Sequence, residues 1–376
     1  MVRFCLRRRA IDRDFKLVYL TSLNMNTMLP RERVLTALSH KTTDRVPLDF
    51  WGTPETWEKL YSHFAAKNDE DILRALGIDI RQFQPRYKGI IETRPDGSYI
   101  DPMGVHRKPV KNDFCVYEEY ASSPLGFVQS VDDFKGYNWP NIDSFDFESL
   151  PEQIGDAHKT YYIKMQTGGL FELAWALRGY EQFLIDMIEA PEIAHFIMDK
   201  LTDFYCEYVR RAMRYAGDKY DMIYTYDDIA AQNSQLMSKD MWEEFLRPCH
   251  VKLNKVIHDH GKIVMYHSCG AIYDMIPHLA ELPIDVLNPI QPRARGMNFE
   301  NIKRNFGNKL CFHGGIDIQR LLPFGSVEDV RAAVRYAIAT LGKGGGYILT
   351  SAHYIQADTP VENILAMFET ARNTAM

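Results

Sequence analysis

An α/β chain folded as a (β/α)8, TIM-type barrel is the expectation for these 376 residues, and three features lead to it. Short runs rich in β-branched and aromatic residues recur eight times. Longer stretches of helical period separate most of them, the pattern of parallel strands joined by crossover helices. The length suffices for one large buried core, which a barrel of this kind uses as a single domain.

In chain order the strands are expected at RVPLDFWG (45–52), GIDIRQF (77–83), YYIKMQTGG (161–169), DMIYTYDD (221–228), KIVMYHSCG (262–270), IDVLNPI (284–290), KLCFHGGID (309–317) and YILTSAH (347–353). Helices are expected at 236–260 after the fourth, 271–282 after the fifth and 361–374 after the eighth. The stretch from 90 to 150 breaks the alternation. Its segment RPDGSYIDPMGVHRKP is dense in turn residues and poor in helical period, so an insertion over one end of the barrel is expected there. Residues 28–376 then make one barrel. Residues 1–27 are basic, and their apolar run at 17–20 is too short for a signal core or a membrane span. A disordered leader, or an upstream start codon with Met25 or Met28 as the working start, is expected there.

A net charge of −6 offers no long-range attraction for nucleic acid, and neither nucleic acid nor membrane is expected as a partner. The six cysteines, at 5, 115, 206, 249, 269 and 311, lie far apart without framework spacing. That usage suits a reducing compartment, so a cytoplasmic protein is expected.

In a barrel of this type the working side chains stand at the carboxyl ends of the strands, where loops vary without disturbing the packed interior. The polar residues at or near the expected ends are Asp49, Asp79, Glu172, Asp227, Asp228, His267, Cys269, Asn288, His313, Asp317 and His353. His267 and Cys269, two positions apart where a strand breaks into glycine, can turn an imidazole and a thiolate toward one point. An ordinary packed strand fits the bare pattern too, since cysteine is often buried. A redox pair does not fit, for there is no C-x-x-C. Of the consecutive acids Asp227 and Asp228 only one can face inward. That one would reach a metal or orient His267 from behind, and the other would serve as a turn or helix-capping acid. Glu172 is a candidate to give or take a proton at a substrate, or else a first-turn helix acid. His313 followed by Gly314 and Gly315 suggests a loop closely approached by a cofactor or substrate, where side chains would obstruct. Trp51, Phe171, Tyr224, Tyr226 and Tyr266 can wall an aromatic pocket or fill the core.

Four blocks, PRERVLTALSHKTTDRVPLDFWG, DMWEEFLRPCHVKLNKVIHDHGKIVMYHSCG, HGGIDIQRLLPFGSVEDVRAAVRYAI and GGGYILTSAHYIQADTPVENI, together resemble the uroporphyrinogen decarboxylase superfamily from about residue 28 to the C-terminus. That superfamily holds the decarboxylases of haem synthesis and corrinoid-dependent methyltransferases on the same barrel. The resemblance matches Asp79 to the family's pyrrole-binding aspartate and His353 to its late histidine. The decarboxylases clamp a substrate of eight carboxylates with two arginines after the first strand, whereas here no arginine stands between Arg45 and Arg74. Losing such a clamp forfeits several charge-assisted hydrogen bonds of about 1.5–3 kcal/mol each.

The methyltransferase branch implies more for His267 and Cys269. Its zinc members resemble one another in a His-x-Cys at the fifth strand end and a third ligand, usually cysteine, before a Thr-Pro. Counting back from Thr359-Pro360, that third position is His353, nitrogen in place of sulfur. The implied function is methyl transfer from a small methylated donor to a cobalt corrinoid carried by a partner protein. It would be zinc-assisted through His267, Cys269 and His353, with Asp79, Glu172, Asp228 and His353 as catalytic residues and His313, Gly314 and Gly315 beside the corrinoid. Uroporphyrinogen decarboxylation and a non-catalytic ligand-binding barrel are the alternatives.

Overall fold

The computed structural model describes residues 27–112 and 116–376. The leader expected at the N-terminus falls, apart from residue 27, outside the described residues. In chain order the strands are β1 (Ile80–Gln82), β2 (Arg86–Tyr87), β3 (Tyr99–Ile100), β4 (His106–Lys111), β5 (Val116–Ser122), β6 (Phe145–Asp146), β7 (Tyr162–Gly169), β8 (Met222–Tyr226), β9 (Ile263–His267), β10 (Val286–Ile290), β11 (Cys311–Ile316) and β12 (Tyr347–Ser351). Seven of them form one curled sheet in the order β1-β7-β8-β9-β10-β11-β12, every neighbouring pair parallel. This is a TIM-type barrel, with each of the seven strands lying inside an expected run.

The run expected at 45–52 differs. It forms no full ladder but makes isolated parallel bridges, from Leu48 to Leu349 in β12 and from Gly52 to Ile355 just beyond it. Leu349 N–H donates to Pro47 O (2.9 Å) and Asp79 N–H to Leu48 O (2.9 Å), so the segment links the sheet's two edges. Proline explains the interruption: Pro47 has no N–H to give a ladder. The next donor, Leu48 N–H, goes to the Asp79 carboxylate instead of a strand carbonyl (2.8 Å).

The barrel interior is lined by Trp51, Ile80, Tyr162, Met222, Tyr224, Met265, Val286, Cys311 and Ile348, and Val34 packs against this layer. Val34 belongs to helix Pro30–Leu38, which stands across the amino-terminal end of the barrel. Outside, the crossover helices carry apolar stripes at helical spacing. Ile193, Ile197, Leu201, Tyr205 and Val209 on the helix Pro191–Ala216 are all buried. The helix Val327–Leu341 begins with a capping box, in which the Ser326 side chain accepts from Asp329 N–H and Asp329 reaches back to Ser326 N–H. The stretch 239–259 is helical throughout, as expected from its pattern, with a π turn at Trp242–Leu246.

The insertion is real and β-rich. Strands β3, β4 and β5 make a separate antiparallel sheet. It reaches the barrel's carboxyl end, where Val116 N–H donates to Glu55 (3.1 Å), Tyr117 bonds Gln356 (3.0 Å) and the Tyr120 hydroxyl donates to Glu172 (3.0 Å). Among the described residues no helix is long and apolar enough to cross a membrane.

Candidate metal centre at the barrel mouth

His267 is the last residue of β9, and Cys269 follows in the turn that Gly270 permits with φ 93°. A side chain at Gly270 would press on the carbonyl oxygens of Ala230 and Ala231 at under 3 Å, so the chain can turn there only with glycine. His353 leaves the end of β12 from across the mouth. One ligand atom from each of His267, Cys269 and His353 lies within 4.8 Å of the others. His267 Nε2 and Cys269 Sγ are 3.4 Å apart. Tetrahedral zinc, with bonds of about 2.0–2.3 Å, sets its ligand atoms roughly 3.3–3.8 Å apart. The three residues therefore fit a zinc ion, with small side-chain rotations and a fourth position left open.

The electrostatics agree with a cation site. Burial disfavours charge on His267, but Cys269 and Asp228 beside it outweigh that and hold its pKa well above the ordinary histidine range. His267 Nε2 is also 3.4 Å from Asp228 Oδ1, so a metal ion would take the place of a proton shared among these groups. Burial and the neighbouring His267 push His353 down to about 4, which leaves its lone pair available at neutral pH.

The two consecutive acids divide as strand geometry demands. Asp228 faces the cluster and accepts from Cys269 N–H (2.7 Å). Burial works against its charge, but His267 holds its pKa below the usual carboxylate value. Asp227 turns away and is fully buried, taking Glu172 N–H (3.0 Å) at the first turn of the helix Leu170–Arg178 and His250 Nε2 (2.6 Å). Glu172 itself leans toward the mouth, where burial, Asp228 and Asp227 raise its pKa against the lowering bond from Tyr120.

Beneath the cluster runs a line of buried polar groups. His267 Nδ1 lies 2.5 Å from Asn288 Oδ1, and Asn288 Nδ2 lies 2.5 Å from His313 Nδ1. His313 Nε2 meets Asp49 Oδ2 at 3.1 Å, and the same carboxylate is held by the Lys164 ammonium and Trp51 Nε1–H (2.8 Å). Burial opposes charge on Asp49, yet Lys164 and His313 outweigh it and keep the carboxyl well below its ordinary range.

Several expected site residues stand elsewhere. Asp79 is at the start of β1, the amino-terminal end of the barrel, opposite the metal cluster. It is wholly buried between Arg33 (2.6 Å) and Arg45 (2.7 Å) and also accepts Leu48 N–H, so its oxygens are committed to the fold. The pairing of Asp79 with His353 at one substrate is therefore not what the fold delivers. His313 is the third residue of β11 and points into the barrel at Asn288 and Asp49, not into a loop. Gly314 and Gly315, at φ 107° and 97°, are approached by the protein's own groups. A Cβ at Gly315 would lie 2.7 Å from the Tyr347 hydroxyl, and one at Gly314 would crowd Pro289 and Ile290 N at 3.2 Å. The close approach inferred from these glycines exists, but the chain itself makes it. Asp317 caps its own turn by accepting from Gln319, Arg320 and Leu321 N–H.

Of the aromatic residues, Trp51, Tyr224 and Tyr226 surround His267, whereas Tyr266 packs on His250 and Phe171 on Phe183 in the outer layer. Sequence reasoning missed Lys164, Tyr354 and Tyr120. Lys164 had a signal, a single lysine inside the apolar strand YYIKM, where a buried charge requires a partner. Tyr354, tilted against Trp51 and edge-on to His353, and Tyr120, delivered by the insertion, had none.

Fold and cluster together define a TIM-type barrel with a candidate metal centre at the carboxyl ends of its strands. Residues 156–374 match the family described as Uroporphyrinogen decarboxylase (URO-D). The chain belongs to the uroporphyrinogen decarboxylase superfamily, whose members are enzymes. Curated relatives include uroporphyrinogen decarboxylases of Trichodesmium erythraeum, 25% identical over 187 residues, and Crocosphaera subtropica, 24% identical over 185. Each match spans 48% of this chain and 48% of the relative, so the chain spans about half the length of the curated relatives it matches. Among solved structures, a methyltransferase from Methanosarcina mazei superposes with a TM-score of 0.65 at 18% identity, over 92% of this chain and 98% of that one. At that identity the likeness speaks for the fold.

Proposed function

We propose that this chain is a methyltransferase that takes a methyl group from a small methylated donor and passes it to a cobalt corrinoid carried by a partner protein. We further propose that it uses zinc held by His267, Cys269 and His353. The observation that supports this reading most directly is the convergence of those three ligand atoms within 4.8 Å at the carboxyl-terminal mouth of the barrel. Bound there, zinc supplies Lewis acidity toward the donor's heteroatom, while the partner's corrinoid supplies the cobalt(I) nucleophile. The chain's own residues do the rest. Asn288 and Asp228 hold the ligands in place, and Trp51, Tyr224 and Tyr354 shield the mouth from water. Glu172, its pKa raised by burial and two neighbouring acids, is suited to move a proton to the departing heteroatom.

Uroporphyrinogen decarboxylation is the second reading, favoured by the names of the curated relatives. It meets a physical objection. Arg33 and Arg45 are bound to Asp79 at the far end of the barrel, and the segment 46–73 contains no arginine to hold a substrate of many carboxylates.

Two measurements separate the readings. Purified protein should contain close to one zinc per chain, and Cys269→Ser should lose it. Incubated with methyl ethers and methylamines and a methyl-accepting corrinoid protein, the wild type should methylate the corrinoid. A metal-free wild type that decarboxylates uroporphyrinogen would reverse the choice.

A further inference from the structure

The line Asp49–His313–Asn288–His267 has a direction. We infer that Asp49 and His313 are positioning residues which, through Asn288, decide which nitrogen of His267 is presented to Cys269 and His353. The inference rests on the reading of those three residues as metal ligands.

The argument is one of donors and acceptors. An ionised carboxylate only accepts, so the proton between Asp49 Oδ2 and His313 Nε2 belongs to the ring. In a neutral imidazole the other nitrogen is then bare, and His313 Nδ1 must accept. Its neighbour at 2.5 Å is Asn288, which therefore turns its NH2 toward His313 and its carbonyl oxygen toward His267. That oxygen requires a donor, and His267 Nδ1, also at 2.5 Å, must carry the hydrogen. Neutral His267 is thereby left with its lone pair on Nε2, the nitrogen 3.4 Å from Cys269 Sγ.

The anchor at the other end is firm. Lys164 and Trp51 Nε1–H both donate to Asp49 Oδ2, and Phe50 N–H takes Oδ1 at 2.9 Å. Asp49, His313 and Asn288 are buried, with no competing water at a bulk surface to reset the order. The reversed arrangement can be written out. Asn288 would turn over and its NH2 would face His267 Nδ1. His313 would need protons on both nitrogens, and His267 Nε2 would carry a hydrogen toward the metal position. An amide orientation is normally ambiguous between its two ends. Here the carboxylate six atoms of side chain away from the metal cluster resolves it.

Two experiments test this on the full chain. The first uses wild type labelled with 15N in the histidine rings, with the His313 signals identified by their loss in His313→Gln. With and without zinc, His313 should carry its proton on Nε2 and none on Nδ1. In the zinc-loaded protein, His267 should coordinate through Nε2 and keep its proton on Nδ1. A His313 protonated on Nδ1, or on both nitrogens, overturns the inference. If no zinc is taken up but His313 still shows the Nε2 proton, the metal reading fails while the ordered chain stands. The second experiment is Asp49→Ala, which removes the acceptor that holds the His313 proton on Nε2 and so permits the reversed order. Zinc affinity, read by competition with a chromophoric chelator, should fall about 10–100-fold, as for other residues that orient metal ligands. A variant that melts cooperatively and keeps zinc within about threefold of wild type would overturn the inference, since an orienting partner is worth more than that.

Discussion

Replacing Asp79 by asparagine separates a structural role from a catalytic one. The wild-type carboxylate has no exposed surface. It bonds Arg33 at 2.6 Å and Arg45 at 2.7 Å, whose side chains are 5% and 16% exposed. Asparagine preserves the shape and removes the charge, leaving two guanidinium groups in a buried place without their counter-ion. Breaking a buried pair by removing one partner costs about 3–5 kcal/mol. Arg33 retains Asp44 at 2.7 Å, and Arg45 keeps the carbonyls of Val46 and Gly77, which favours the lower end of that range. For a large domain about 2 °C of melting temperature corresponds to 1 kcal/mol, so a loss of about 3 kcal/mol appears as a fall of roughly 6 °C. The assay is a thermal melt beside zinc content and methyl transfer, the last two at a temperature where the variant is folded. Both functional readouts should match wild type. A variant that melts with wild type yet loses activity would refute the assignment and return Asp79 to the substrate.

Four further outcomes follow from the same geometry. Asp227→Ala should cost about 1–3 kcal/mol by leaving the buried His250 Nε2 without its partner, measured as a lower urea midpoint. Asp228→Ala, whose side chain is 47% exposed, should leave the midpoint nearly unchanged and weaken zinc binding. Tyr120→Phe removes a hydrogen bond to a charged group, a local loss of about 1.5–3 kcal/mol, and should make the insertion more readily cut in limited proteolysis. Acid should destabilise the protein in part through His313. Burial lowers its folded pKa, so below the unfolded value of about 6.5 the unfolded chain binds a proton that the folded chain refuses. Stability therefore falls as pH drops from there. In His313→Gln, denaturation midpoints measured across that range should show a shallower slope, and an unchanged slope would refute this source of acid sensitivity.

Local pattern is enough to specify a TIM-type barrel in this chain, because strand and helix periods are properties of neighbours in sequence. The seven paired strands, the helix at 239–259 and the presence of an insertion all follow from such patterns. His-x-Cys was legible for the same reason, since two residues two apart at a strand end share a side. Of the pair's partners, His353 was reached through the family resemblance, but the buried line behind His267 was not legible. Asp79 and Asp49 are both acids beside expected strands, yet one lies beneath the barrel and the other inside it. Which end of a strand a residue occupies depends on where the ladder begins, and Pro47 with the Asp79–Leu48 bond moved that point. Lys164, Asn288 and His313 come from three strands and meet only when the sheet curls. Gly314 and Gly315 signalled a close approach correctly, but sequence carries no record of what approaches, and packing chose Pro289 and Tyr347. Sequence alone determined the kind of fold and named the three candidate ligands of the metal centre. Closure of the barrel decided the rest, because it sets distances between residues that no local period relates.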